Sequence, residues 1–403
     1  MVPPERRTRT DLTVAVLIVL AVLAAATALW WRSDARATDS APAQQPLAES
    51  PAPSEVPDRL REVWREPSPA TPHPVVAGPA VVTGAGGDVT GHDAESGRPA
   101  WHYSRDLPLC TVDEQWDRVI AVHGKTRNCS EVTSLRGDTG VRAPQRNSDA
   151  EPGTRLLSDG DALTATGVRS FETWRSDLVR TQQYGLPPAP KNPDNNMNRP
   201  GCPFESLGSG DEQIAVVENC PREQGLRLTT IKAEPEDEES PEEVFSVGIG
   251  EAPATVVSVT EDRVAVAFRD RGEVLVHDSS GAVQDRYPVR TGPPDDSGNV
   301  DLERVQRGSL DYWFTGADVL ALDPVTLTPA WRAPDVLGPA TDFGGRVLVP
   351  VPDGIAVLDP DTGARERVLP VDRQGHDGPV SLDSAGGVLL EQRGDELVAL
   401  SGS

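Results

Sequence analysis

The sequence is short of the residues that build metal and redox centres. Its 403 residues include 4 Cys, 6 His and 2 Met. The cysteines contain no Cys-x-x-Cys, and the histidines, at 73, 92, 102, 123, 277 and 376, are scattered. Zinc ligation and dithiol redox chemistry both need closer spacing. His-Glu-x-x-His, a nucleophile elbow and a phosphate-binding glycine loop are all missing. Acidic pairs such as Asp359 and Asp361 lack the alternating oxygen ligands of a calcium loop and read as turns. No residue is therefore assigned a catalytic, cofactor-binding or metal-binding role. Positive charge is scarce as well: Lys and Arg number 38 against 63 Asp and Glu, a net charge of −25. That excludes nucleic acid, or an anionic membrane surface, as a partner held by charge alone. Helical periodicity is scarce after residue 31.

One uncharged run is present, LTVAVLIVLAVLAAATALWW at 12–31. Twenty helical residues rise about 30 Å, the thickness of a bilayer's hydrocarbon core. Trp30 and Trp31 suit the interface, and Arg6, Arg7 and Arg9 precede the run. The expectation is a signal anchor at 12–31, with residues 1–11 cytoplasmic and the remainder outside the cell membrane. A cleaved signal peptide is the alternative, with Ala35-Arg36-Ala37 as the cut, although its apolar region is usually shorter. Residues 32–58 are rich in Pro and Ala and nearly free of large apolar side chains. They read as a disordered stalk.

The rest, 59–403, is repetitive. One unit is an alternating strand, an Asp-x-x-Ser/Thr-Gly turn, and a strand with an aromatic four residues after the glycine. Asp93 to Gly97 runs on to Trp101, and Asp359 to Gly363 follows an apolar strand. Asp323 to Thr326 runs on to Trp331 with Leu327 in the glycine position, and Asp278 to Gly281 is one residue shorter. Arg136 to Gly140 keeps the turn, while Phe171-Glu172 and Thr230-Ile231 are degenerate copies. The Asp side chain closes an Asx turn, Gly supplies positive φ, and the aromatic offers a face to the next unit. Eight equivalent points from Asp93 to Ser401 are spaced about 44 residues apart, the length of a four-stranded propeller blade. The predicted fold is an all-β propeller of eight such blades, with seven as the alternative. The segment around Trp64 carries the aromatic missing from the last repeat, so it is expected to complete the final blade and close the ring.

Four cysteines in an exported domain favour disulfides. Three connectivities are possible. Cys110 and Cys202 open the second and fourth units, and Cys129 and Cys220 follow the next strand of each. Equivalent positions point to Cys110–Cys129 and Cys202–Cys220, each worth about 3 kcal/mol in the chain-entropy model.

Leu-Ala-Leu-Asp with a Thr-Gly turn and a later Trp resembles the repeat of pyrroloquinoline-quinone-type propellers. The resemblance covers roughly residues 60–403. It implies the propeller fold, and it admits both quinone-dependent dehydrogenases and non-catalytic members, such as the lipoprotein scaffold of outer-membrane barrel assembly. The enzymes of that family use an adjacent-cysteine disulfide and calcium, and this chain has no adjacent cysteines. Abundant Arg, few Lys and Ala-Pro runs look like an actinobacterial exported protein. The expected function is a non-catalytic binding or scaffold module of the cell envelope, without cofactor. Its expected partner is another envelope protein or a cell-wall component. The alternatives are an exported quinone- or metal-dependent oxidoreductase and a small-ligand sensor. Two stretches break the repeat and are the expected recognition surfaces: a polar loop at 186–201 and an acidic tip at 234–243.

Overall fold

The computed structural model describes residues 8–33, 36–158, 160–187, 199, 201–237, 240–292, the backbone of 305–307, and 310–402. Helix α1 spans Arg9–Trp31, and none of its residues is buried. It begins three residues before the uncharged run, because Thr8 and Asp11 form a capping box that satisfies the first-turn amides. It is long and apolar enough to cross a membrane.

Eight antiparallel sheets follow, seven of four strands and one of five. In chain order they make a propeller, and blades are numbered here from the sheet that contains Val75–Ala77. The middle strands of each blade are apolar runs, such as Val119–Val122, Ile214–Val217, Val264–Phe268 and Ile355–Leu358, and almost every residue in them is buried. Continuous rather than alternating apolarity follows from packing on both faces between neighbouring blades. Apolar clusters accordingly sit in the seams. One joins Phe245 of blade 4 to Val256 and Phe268 of blade 5, and another joins Trp331 of blade 6 to Val347 and Val349 of blade 7.

The ring closes with an N-terminal strand. Two strands precede the ring in sequence, β1 (Thr38–Ala41) and β2 (Leu60–Pro67). β2 is the outermost strand of blade 8 and pairs antiparallel with Glu396–Gly402, Leu60 opposite Gly402 and Trp64 opposite Ala399. Eight blades, not seven, result.

The reading of 32–58 as a free stalk is corrected by the structure. β1 adds to the outer strand of blade 1 as a fifth strand, with Thr38 opposite Arg105 and Ala41 opposite His102. The amides of Ala43 and Leu47 then donate to the carbonyls of Thr139 and Asp138, and Val56 is buried against Phe343 and Leu348 of blade 7. The segment is a strap along the ring. Low side-chain apolarity misled the reading because an edge strand offers backbone hydrogen bonds, which composition does not report.

Candidate functional site

Four of the repeat turns are each built around one carboxylate. Asp93 Oδ1 accepts from the Ser96 amide at 2.9 Å and its hydroxyl at 2.5 Å. Asp359 does the same with Thr362 at 2.9 and 2.7 Å. Asp323 accepts from the Thr326 amide at 2.7 Å, and Asp278 from the Ser280 amide at 2.9 Å. These donors hold all four carboxyls below their usual range: Asp93, Asp278 and Asp359 mainly through the neighbouring hydroxyl, Asp323 mainly through the Thr326 amide. The Asp278 carboxyl falls to about 2.

The aromatic of each well-formed repeat locks onto the turn of the following blade. Trp64 Nε1 donates to Ala94 O at 2.8 Å, Trp101 Nε1 to Gly137 O at 2.8 Å, and Trp331 Nε1 to Pro360 O at 2.9 Å. The turn glycine lies under the indole. A Cβ on Gly97 would stand 2.4 Å from Trp64 Cγ, and one on Gly363 would stand 2.6 Å from Trp331 Cε3. Both glycines also have positive φ, 67° and 66°. Glycine is thus required there twice over, for conformation and for contact. Blade 6 departs from this pattern. Leu327 takes the left-handed conformation at φ 55°, and Tyr287 Oη, not an indole, donates to its carbonyl at 3.1 Å.

The seam between blades 3 and 4 is built differently. Phe171, Tyr184 and Phe204 stack there with centroids 5.4–5.8 Å apart. Beside them the fully buried carboxylate of Glu218 accepts from Tyr184 Oη at 2.9 Å, Thr229 Oγ1 at 2.6 Å and Arg199 Nε at 3.1 Å. Arg199 Nη2 reaches on to Glu243 at 2.6 Å. Burial opposes the charge of Arg199, but Glu218, Tyr184 and Glu243 outweigh it and raise its affinity for the proton. Burial and the Glu218 carboxylate both push the Tyr184 phenol up, so it stays a neutral donor. Arg199 comes from the loop that enters blade 4. The Cys202–Cys220 disulfide, three residues on, ties that loop to the turn after Glu218. The second bridge joins Cys110 to Cys129 in blade 2, so both expected pairings are present.

Sulfur atoms of Cys202 and Cys220 and an oxygen of Glu218 lie within 4.8 Å of one another. The sulfurs are bonded to each other and Glu218 is fully engaged, so the trio has no thiolate to offer a metal. Sequence reasoning missed the Arg199–Glu218 pair. A lone glutamate at the end of an apolar strand, Gln213–Glu218, was the available signal.

The two expected recognition surfaces lie at opposite ends of the ring. In a meander, inter-blade loops and second-to-third turns share one face, while first-to-second and third-to-fourth turns share the other. The 186–201 loop is inter-blade, whereas 233–242 joins the third and fourth strands of blade 4. Residues 188–198 and 200 of the loop, and 238 and 239 of the tip, lie outside the described residues. Two buried histidines sit against repeat turns. His92 Nδ1 bonds the Gly97 carbonyl at 3.0 Å and His277 Nδ1 the Gly281 carbonyl at 3.0 Å, each bracing its own turn. Thr83 Oγ1 lies 2.8 Å from His92 Nε2, and both residues are buried.

No protein-family model matches the chain, and no curated protein matches it significantly. Solved structures do. The chain is similar to BamB from Moraxella catarrhalis at TM-score 0.51 and 13% identity, over 85% of this chain and 99% of that one. Saccharomyces cerevisiae Sqt1 gives TM-score 0.53 and 12% identity, over 87% and 99%. The dihydro-heme d1 dehydrogenase NirN, in complex with DHE, gives 0.51 and 13%, over 84% and 78%. Likeness at such identities speaks for the fold alone, and the fold is an eight-bladed β-propeller.

Proposed function

We propose that this chain is a membrane-anchored, extracytoplasmic platform of the cell envelope that binds an envelope protein or cell-wall component and is not a catalyst. The observation that carries this reading is the rigid footing of the 186–201 loop. A disulfide, a buried ion pair and an aromatic stack fasten its base, while its span is polar. Binding residues tend to sit on long loops held by a rigid scaffold. The locking of Trp64, Trp101 and Trp331 on Gly-containing turns supports placing the repeat with the pyrroloquinoline-quinone type. Two disulfides favour an oxidising compartment, and α1 with its preceding arginines favours an anchor whose N-terminus is cytoplasmic.

The test is crosslinking in native membranes followed by identification of the captured partner. Deleting 188–198 is expected to abolish capture while circular dichroism and the melting temperature stay unchanged. A stoichiometric pyrroloquinoline quinone complex with dye-linked turnover would overturn the platform in favour of an oxidoreductase.

A further inference from the structure

Among the described residues, the outermost strand of seven blades pairs with no further strand, and blade 1 has its own covered by β1. Unpaired strand edges recruit other chains unless charge or proline blocks them. Six of the seven exposed edges carry arginine: Arg142 and Arg146, Arg180, Arg286, Arg332, Arg365 and Arg367, and Arg61 and Arg65. Blade 4 differs. Its outer strand, Glu243–Gly250, is eight residues long, and after Glu243 it reads VFSVGIG, with no charge and no proline. Its register is with Leu226–Lys232 on the inner side, and it ends the sheet on the outer side. The blade 1 edge shows that this ring accepts a fifth strand, antiparallel and held by backbone pairing.

We infer that the outer edge of blade 4 is a second docking site, which takes an extended segment of a partner protein as a fifth antiparallel strand. The inference rests on the binding-platform reading and names a surface and a partner chemistry for it. Charge selects the occupant. At the Glu243 end the strand meets the acidic turn, where Glu234 and Glu236 are exposed. An antiparallel guest would bring its C-terminal end to that turn. The fitting guest is therefore an uncharged, β-prone stretch that ends in lysine or arginine. Backbone hydrogen bonds supply affinity in this mode, and flanking charge supplies direction.

Gly248 offers the means of testing it. It is exposed, and a Cβ there would meet nothing within 4 Å. Gly248→Lys thus adds a guarding charge to the edge without disturbing the blade. The probes are the labelled octapeptides Thr-Val-Thr-Val-Thr-Val-Lys-Lys and Lys-Lys-Thr-Val-Thr-Val-Thr-Val, titrated by anisotropy against the full chain in detergent. The first is expected to bind about tenfold more tightly than the second. It should protect the amides of 244–250 from hydrogen exchange and lose about tenfold in affinity with Gly248→Lys, while Gly248→Ala binds as the parent does. Equal binding of the two peptides, or protection of another blade instead, overturns the inference. A dimer of the chain abolished by Gly248→Lys also overturns it, since the guest is then a second copy. If Gly248→Lys leaves peptide binding intact while deletion of 188–198 still abolishes partner capture, the edge fails and the platform stands.

Discussion

The seam between blades 1 and 2 and the seam between blades 3 and 4 solve the same problem by different means. Trp101 closes the first by burying an indole on the turn around Gly140 and giving its one proton to Gly137. The charges at that seam, Arg105 of blade 1 and Glu131 of blade 2, pair directly at 3.3 Å and keep some exposure. The second encloses Glu218, and its neutralisation depends on Arg199, a residue outside the repeat that is tethered through Cys202. Where the repeat pattern is intact, an aromatic at a fixed spacing makes the contact with the next blade. Where it decays, the protein uses charge, and the charge needs a loop and a covalent tie to hold it in place. The seam between blades 2 and 3 is intermediate. Arg146 donates to Leu178 O at 2.7 Å where a tryptophan would stand, and its guanidinium lies 5.7 Å from the Trp174 ring centroid.

The comparison can be broken at its two anchors. Trp101→Ala should cost about 4 kcal/mol, from lost burial and the cavity left behind. Arg199→Ala should cost about 3 kcal/mol, somewhat less because the guanidinium keeps some water contact while the Glu218 carboxylate is stranded. The two separate on rescue. Adding Glu218→Gln to Arg199→Ala should recover much of the loss, whereas Glu218→Gln should do nothing for Trp101→Ala. Urea denaturation midpoints of these four variants and of Glu218→Gln alone close both cycles, and equal behaviour of the two seams would falsify the distinction.

Acid sharpens the same contrast. His123 faces blade 1 across the first seam, its Nε2 3.2 Å from Gly87 O and its ring edge-on to Tyr103. Burial pushes the imidazole down to about 4 from 6.5, against the smaller upward pull of the Gly87 carbonyl. The unfolded chain therefore takes up a proton between pH 6.5 and 4 that the folded ring refuses. Stability from this group is present above pH 6.5 and is lost as pH falls toward 4, by up to roughly 3 kcal/mol. Melting temperature followed across that window should fall less steeply in His123→Phe than in the parent. The smallest effect is expected at a turn. Asp93→Ala removes the acceptor for the Ser96 amide and hydroxyl at a half-exposed site and should cost about 0.5 kcal/mol, read as a small shift of the urea midpoint.

The sequence carried the regular blades openly, because Asp, Gly and Trp each have a separate physical task at a fixed offset. It misplaced the degenerate ones. Phe171-Glu172 stood in for the blade 3 turn, yet the strand runs on to Trp174, and the turn is Arg175–Val179 with Leu178 at φ 59°. In blade 4 the turn has grown into the acidic tip, which hides its offset. The bridges were legible because two pairs recur at one blade position. The Arg199–Glu218 pair was not. Arg199 sits on the loop that enters blade 4 and Glu218 at the end of that blade's second strand, and no local spacing encodes their meeting. The strap was missed for a related reason: its hold on the ring is made by main-chain atoms that every residue shares.

β2 also imposes an order in time. Ribosomes make residues 60–67 long before residues 396–402, yet these two segments are partners in one sheet. Until the later one exists, the earlier one has no place to go, and seven blades form an open arc with a bare apolar sheet face at each end. Contacts between residues so distant in sequence are slow to form and leave intermediates exposed to aggregation. Closure can therefore begin only after residues 396–402 have been made. Any delay between the birth of the two segments is a period in which the unfinished arc needs protection.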